Sequence, residues 1–287
     1  MFVALLAGAL LNGIVTGMIY ALLGIGLSLI LGLLNIPNFA HGALYALGGY
    51  FLFSIGQALF GFWGGVLIAP FGVAAVGGLI EYAGVRRLYG VHPDYILLLT
   101  YGLALVFTEL VILIWGPVGI TVFPPRLLAG GVDLGVTFYP KYRLAIMGIT
   151  TLLVVGTWLF IEKTKYGAII RAGIEDRDMV NALGINIHRV FTVTFAAGAG
   201  LAGLAGALIA PVQGLHPSMG IVILPFAFVV VVVGGLGSIP GAILGGLLVG
   251  ILQSVTTIIW TPGADIVVFA AMALVLLLRP QGLLGKR

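Results

Sequence analysis

Charged residues are scarce in this chain: Asp, Glu, Lys and Arg make up 8% of its 287 residues, whereas hydrophobic residues make up 61%. Soluble domains carry about 25% charged residues, because a surface in contact with water needs them. So few charges exclude a soluble globular protein, since lipid must solvate part of the surface. The composition therefore indicates a polytopic membrane protein.

Cysteine is absent, which excludes disulfides and thiol chemistry. No GxxxxGK[ST], GxSxG or HExxH motif occurs, so we expect no nucleotide site, no bound cofactor or metal, and no intramembrane protease or other enzyme activity. The chain has no basic run interleaved with aromatic residues, so nothing in it indicates nucleic-acid binding. The apolar N-terminal stretch has no basic n-region, and we interpret it as a retained membrane segment rather than a cleaved signal peptide.

The chain has long apolar runs, and many of them are close to the length of about 20 residues that a spanning helix needs. Nine runs are candidate spans: Leu5–Leu33, Ala40–Leu59, Trp63–Ala83, Tyr95–Trp115, Leu144–Ile161, Phe191–Pro211, Ile221–Gly235, Ala242–Trp260 and Ile266–Leu278. The expected fold is all-α and polytopic, with eight to ten transmembrane helices in one membrane domain, 1–287. Glycine is abundant, and the GxxxG pattern of Gly246 and Gly250 favours close helix packing in lipid.

Two Gly/Pro-containing interruptions break the apolar sequence. The first contains Asn38, a suitable helix N-cap, and His41, which would then lie in the first turn of the helix. The second reads GGLGSIPG and predicts at least one broken helix, which a membrane protein tolerates where the break is buried or lines a cavity. The first interruption is open to two interpretations, a cap with buried hydrogen bonds or the polar lining of a path or gate. The path candidates in the second interruption are Gly234, Gly235, Gly237 and Ser238.

Glu109 and Asp265 are carboxylates that lie within a candidate span or at its start. Glu109 lies within a candidate span, where a charge costs about 2.5–3.5 kcal/mol and needs a partner, a proton or water. It is interpreted either as a structural residue, in an ion pair with, for example, Arg143 or near the membrane interface, or as a contact to a transported solute or a gate. A proton relay is a third interpretation, which a single acid supports weakly. Asp265 follows Pro262-Gly263 and is expected to be a helix N-cap.

The segment 162–190 is the most polar part of the chain, and we name it the docking segment. It holds nine charged residues between two apolar runs, so it must lie outside the lipid. Apolar residues such as Met179 and Leu183 alternate with these charges, which favours contact with a soluble partner over a merely solvated loop. Gly184 is suited to end a helix, and Asn186 to begin the next element.

Lysine and arginine are distributed unevenly among the predicted loops. Ten of the thirteen fall on one side of the alternating spans, which the positive-inside rule assigns to the cytoplasm. The N-terminus is then outside and the C-terminus is cytoplasmic. Of the remaining three, Arg126 and Lys141 lie in the long external loop Gly116–Tyr142, and Arg143 directly follows it. This loop is either solvated or, together with Gln213–Gly220, the contact surface for an external binding protein.

Several blocks resemble the permease subunits of branched-chain amino acid ABC importers, and the shorter of their two permease types in particular. They are YGAIIRAGIEDRDMVNALGINIHRV in the docking segment, the N-terminal region with Asn38-Phe39-Ala40-His41-Gly42, LLLTYGLALVFTELVILIWG, VVVGGLGSIPGAILGGLLVGILQS and the terminal LRPQGLLG. The resemblance covers most of the chain. It implies that the docking segment contains a coupling helix that binds an ATPase, with these contact candidates: Gly167, Arg171, Ala172, Glu175, Asp178, Gly184, Ile185 and Asn186.

The resemblance also implies the partners and the place of work. We expect a second, homologous permease or a second copy of this chain, two ATPase subunits that use ATP and Mg²⁺, and a periplasmic or lipid-anchored solute-binding protein. The membrane is the bacterial or archaeal cytoplasmic (inner) membrane. The solute is a branched-chain or related hydrophobic amino acid, with urea, short amides or another amino acid as alternatives. A stand-alone secondary transporter or channel remains a further alternative, but it would need more intramembrane ionisable residues than Glu109.

Overall fold

The computed structural model describes residues 2–34, 37–56, 61–135 and 137–285. Within these ranges the chain is mostly helical, as the sequence predicts. The helices are α1 (Phe2–Leu34), α2 (Ala40–Ile55), α3 (Gly61–Ala83), α4 (Pro93–Trp115), α5 (Lys141–Lys163), α6 (Lys165–Glu175), α7 (Arg177–Ala182), α8 (Ile187–Gln213), α9 (Met219–Gly234), α10 (Ile239–Ile259) and α11 (Ala264–Leu278). Short 3₁₀ turns occur at Val85–Leu88, Arg126–Leu128 and Thr261–Gly263.

Seven of the described helices, namely α1, α3, α4, α5, α8, α10 and α11, are long and apolar enough to cross a membrane. This is fewer than the expected eight to ten, because two predicted spans form helices of only 16 residues, α2 and α9. Each is about 24 Å long, less than the about 30 Å of a hydrocarbon core. Both helices are buried over most of their length. They pack against protein and need not match the thickness of the lipid.

Glycines allow α1 and α10 to pack closely. A Cβ on Gly250 would clash with the backbone of Gly13 and Gly17, and a Cβ on Gly246 would meet Gly17 and Ala21. The predicted GxxxG pattern is therefore a packing surface, and it faces a second GxxxG pattern in α1. Contacts of this kind replace the hydrophobic drive that is missing between helices in lipid.

Helix α8 lies at the centre of the fold, where α1, α2 and α3 pack against it. A Cβ on Gly206 would clash with the carbonyl oxygen of Tyr45 in α2, and a Cβ on Gly203 with the side chain of Val73 in α3. Gly198 meets Gly26 of α1 in the same way. The many small residues of α8 thus let three helices approach its backbone.

The second Gly/Pro interruption forms the turn between α9 and α10, which run antiparallel. Gly235 and Gly237 have φ angles of 107° and 75°, a region that favours glycine. The C-terminal segment covers the end of α9: the backbone N–H groups of Leu283 and Leu284 donate to the carbonyls of Val233 and Gly234 at 2.8 and 2.9 Å. Those carbonyls have no partner within the helix, so the last residues of the chain stabilise the turn.

The connection between α4 and α5 lies at the opposite end of the molecule from this turn. It contains the antiparallel pair β1 (Gly131–Asp133) and β2 (Phe138–Pro140). Ile120 and Leu215 exchange two backbone hydrogen bonds of 2.8 Å, which joins this loop to the connection between α8 and α9. The two loops that the sequence assigns to one external face do meet.

Candidate functional site

The docking segment folds as two short helices, α6 and α7, between the ends of α5 and α8. Thr164 caps α6 by accepting a hydrogen bond from the N–H of Gly167 at 3.1 Å. Asp176 ends α6 with an extended backbone and caps α7, because its Oδ1 accepts from the N–H of Met179 at 2.9 Å. A single Asp that prefers the cap position thus divides this part of the docking segment into two helices.

Two of the predicted contact residues attach α6 to α5. Gly167 is buried, and a Cβ there would clash with the backbone of Ile161. The guanidinium of Arg171 donates to the carbonyl of Ile161 and forms an ion pair of 3.6 Å with Glu162. Arg171 therefore holds the helix in position, and only part of its side chain faces outward.

The outer surface of the two helices is both apolar and charged. Met179 and Leu183 expose 58% and 71% of their surfaces, although they lie outside the predicted spans. Glu175 and Asp178 are exposed beside them, as is Ala172. Val180, in contrast, is buried. We name the outward-facing group of Ala172, Glu175, Asp178, Met179 and Leu183 the docking surface.

The last three predicted contact residues lead from α7 into α8. Gly184 has a φ of 81°, which a residue with a side chain rarely adopts. Ile185 is partly buried. Asn186 caps α8 by accepting from the N–H of Arg189 at 3.2 Å. The predicted helix stop and start are confirmed, and these residues set the direction of α8.

Ile174 connects the docking segment to the membrane helices. A Cβ on Gly32, near the end of α1, would lie 3.1 Å from Cδ1 of Ile174 and 3.5 Å from the Cα of Gly237. The docking helix α6, the end of α1 and the turn between α9 and α10 therefore meet at one point. A displacement of α6 would reach α1 directly at Gly32, and the turn through Gly32.

Glu81, which the sequence analysis did not single out, is a buried carboxylate at the same end of the molecule. Its carboxylate accepts from the guanidinium of Arg86 at 3.1 and 3.3 Å, the hydroxyl of Tyr89 at 2.8 Å and the hydroxyl of Thr192 at 2.6 Å. Arg86 also donates to the carbonyl of His188 at 3.3 Å. This network fixes the first turns of α8 to the end of α3.

Asn38 and His41 are both buried in the packed centre of the described helices. Asn38 accepts from the N–H of Ala40 at 3.1 Å, but the predicted N-cap is wrong, because Phe39 occupies the cap position of α2. His41 lies in the first turn of α2 and donates from Nε2 to the carbonyl of Leu23 at 3.1 Å. Asn38 Nδ2 and His41 Nδ1 are among the buried polar atoms in the described part of the chain that have no hydrogen-bond partner. A role in the translocation path remains a prediction.

The remaining path candidates lie apart from these two. Gly234, Gly235 and Gly237 belong to the turn described above, where Ser238 caps α10 by accepting from the N–H of Gly241 at 3.1 Å. Glu109 is exposed on α4. Arg143, the ion-pair partner considered for it, instead donates to Oδ1 of Asn12. The structure does not bring the path candidates together into one cluster.

Asp265 does not cap its helix as expected. Gly263 occupies the cap position of α11, and Asp265 lies in the first turn. Its Oδ1 accepts from Nε2 of Gln253 at 2.9 Å, and the Oε1 of Gln253 accepts from the hydroxyl of Tyr20 at 2.9 Å. In this position the carboxylate connects α11 to α10 and, through Gln253, to α1.

The fold, with seven described helices long and apolar enough to cross a membrane, defines a helical multi-pass membrane protein. The chain belongs to the family described as "Branched-chain amino acid transport system / permease component", whose sequence pattern matches residues 9–277. As a permease component it belongs to a non-catalytic family and is not an enzyme.

Individual relatives agree with this assignment. The chain is 33% identical to the high-affinity branched-chain amino acid transport system permease protein BraD of Pseudomonas aeruginosa over 96% of this chain and 95% of that protein. It is 32% identical to LivH of Escherichia coli, with 96% and 94% covered. It is 30% identical to LivM of the same organism, over 93% of this chain but 68% of that longer protein. The predicted resemblance to the shorter permease type is confirmed.

Proposed function

We propose that this chain forms half of the translocation path of an ATP-driven importer for branched-chain or related hydrophobic amino acids. The family supports the transporter type, and the names of BraD and LivH support the solute class. The observation that carries the proposal is the docking surface. Met179 and Leu183 are exposed apolar residues close in sequence to the exposed carboxylates of Glu175 and Asp178, and an apolar patch rimmed by polar residues is typical of a protein contact.

The partner of the docking surface is an ATPase subunit, which binds ATP and Mg²⁺ in its own chain. When two ATPases close on ATP, α6 and α7 move with them. Ile174 passes this displacement to the end of α1 and to the turn between α9 and α10. The Glu81 network makes α3 follow the first turns of α8. The path then opens outward, accepts the solute, and releases it inward when ATP is hydrolysed.

The distribution of Lys and Arg supports an orientation with the docking surface in the cytoplasm. The joined loops around Ile120 and Leu215 then face outward. Exposed Phe123 and Leu127, 78% and 86% accessible, lie in this region and suit contact with a soluble binding protein that delivers the solute. Such a protein would select the solute, which leaves the path itself weakly selective.

A second permease completes the path. The similarity to the longer LivM supports a heterodimer of two related permeases over a homodimer. Urea, short amides or another amino acid remain alternative solutes, because the matched sequence blocks describe the type of transporter better than its cargo. An uptake assay with labelled leucine, in competition with isoleucine, valine, urea and acetamide, separates these solutes.

The docking proposal is tested by placing a charge on the apolar part of the docking surface. We expect that Leu183→Asp, alone or with Met179→Asp, prevents co-purification of the ATPase and abolishes ATP-dependent uptake. Leu127→Asp is the control for co-purification of the ATPase, since it places the same charge on another exposed leucine at the other end of the molecule. Normal co-purification and uptake with the double variant would refute docking at this surface.

A further inference from the structure

A groove opens between α5 and α8 on the membrane side of the docking segment. Its volume is about 770 Å³, within the range of about 300–1,000 Å³ typical of ligand sites. Leu152, Gly156 and Phe160 of α5 form one wall, and Val193 and Ala197 of α8 form the other. Tyr166 and Ile169 of α6 close the end nearest the docking segment.

The length of the groove matches one leaflet of a bilayer. Its α8 wall runs from Arg189 to Leu201. At about 1.5 Å per residue these twelve steps span about 18 Å. Half of a hydrocarbon core of about 30 Å is about 15 Å. The groove therefore runs from the membrane surface to about the midplane.

The polarity of the groove changes along this length. The docking end carries the exposed side chains of Arg189, Asn186 and Tyr166, and the deeper wall is almost entirely apolar. Arg189 forms no ion pair with any residue that the structure describes. Thr194 lines the groove five residues, or about 7.5 Å, deeper than Arg189, and its hydroxyl has no hydrogen-bond partner within the described residues.

A zwitterionic amino acid is a poor match for this groove. It would bring an ammonium group, and none of the described residues that line the groove is an Asp or Glu. A phospholipid has the matching order of groups: an anionic phosphate at the surface, ester carbonyls just below it that accept hydrogen bonds, and an apolar chain as long as one leaflet.

We propose that the groove binds an anionic phospholipid of the leaflet that faces the docking segment. The headgroup lies at Arg189, the hydroxyl of Thr194 donates to an ester carbonyl, and one acyl chain fills the space between α5 and α8. This inference needs only the membrane location of the chain. It does not depend on the identity of the solute or on the binding of an ATPase.

Photolabelling tests the site. The full-length chain, with the subunits that it retains on purification, is placed in nanodiscs that contain phosphatidylglycerol with a photoreactive group near the middle of one acyl chain. We expect adducts on Leu152, Gly156, Val193 and Ala197, mapped by peptide mass spectrometry. Labelling spread evenly over exposed residues such as Leu113 and Leu277 would refute a specific site, as would a groove that stays unlabelled because another subunit covers it.

Two pairs of variants distinguish the chain contact from the headgroup contact. Ala197→Trp fills the groove and should remove most of the labelling, while Leu113→Trp on an exposed surface of α4 should not change it. Arg189→Gln should weaken retention of phosphatidylglycerol about fivefold, the value expected for one cation at a membrane surface, with Arg279→Gln as its control. Equal labelling by phosphatidylcholine and phosphatidylglycerol would overturn the anionic headgroup.

Discussion

At the scale of single residues, Glu81 shows most clearly how the position of a charged side chain determines the energetic cost of its burial. It is the one Asp, Glu, Lys or Arg among the described residues that is buried, and four groups donate to its carboxylate. A buried carboxylate without its hydrogen bonds is strongly unfavourable, so the network is required once the residue is there. The network also unites parts of the chain that are far apart, since Thr192 is 111 positions away.

We expect that Glu81→Gln lowers the thermal stability of the purified protein clearly. The amide keeps the shape but loses the negative charge, so Arg86 loses its ion pair and one of the donors faces an NH₂ group; each such change costs about 1–3 kcal/mol. Glu162→Gln is the matched control, because its ion pair with Arg171 is partly exposed and contributes about 0.2–1 kcal/mol. Equal melting temperatures for the two variants would contradict this interpretation.

The sequence predicted polar residues well where local pattern was enough. Charges in an apolar chain indicated the docking segment, and Gly184 and Asn186 indicated its last helix boundary. Glu81 was missed because its partners are assembled by the fold, although a Glu five residues before Arg86 within a candidate span was a signal. A role of Glu109 in the translocation path stays a prediction. The sequence places it within a span, but only the packing of α4 determines that it is exposed.

At the scale of elements, close helix packing depends on glycines that face another backbone. We expect that Gly206→Ala prevents α8 from approaching α2, because the new methyl group would clash with the carbonyl of Tyr45. The protein should be poorly expressed or melt at a much lower temperature. Gly148→Ala on α5 is the control, since nothing lies within 4 Å of its added Cβ. A stable Gly206→Ala variant would show that α8 and α2 separate readily.

The contact of Ile174 with the end of α1 predicts a loss of coupling without a loss of assembly. Ile174→Ala removes this contact but leaves the docking surface intact, so we expect the ATPase to co-purify and to hydrolyse ATP while less solute is taken up per ATP. The ratio of uptake to hydrolysis in proteoliposomes measures the effect. Ile259→Ala, at an exposed position on the other end of the molecule, should leave this ratio unchanged. An unchanged ratio in Ile174→Ala would exclude this route of coupling.

At the scale of the whole molecule, the alternation of helices supports the predicted orientation only if α2 and α9 count as crossings. If only the seven long helices crossed the membrane, the N-terminus and the C-terminus would still lie on opposite sides. The C-terminal ends of α1 and α3 would then also lie on opposite sides, which disagrees with their contacts. The end of α1 meets α6 at Gly32, and α3 ends beside the start of α8 through Glu81 and Thr192. Both α1 and α3 thus run toward the docking segment, so α2 must return the chain between them.

This orientation can be tested directly, because the chain contains no cysteine and needs no substitution before single cysteines are introduced. Asp178 on the docking surface and Leu127 in the joined loops are both exposed. We expect a membrane-impermeant maleimide to label Leu127→Cys in intact cells and Asp178→Cys only after the membrane is permeabilised. The predicted orientation follows from the positive-inside rule, because ten of the thirteen basic residues lie on one side. The opposite labelling pattern would overturn this orientation and, with it, a cytoplasmic ATPase at the docking surface.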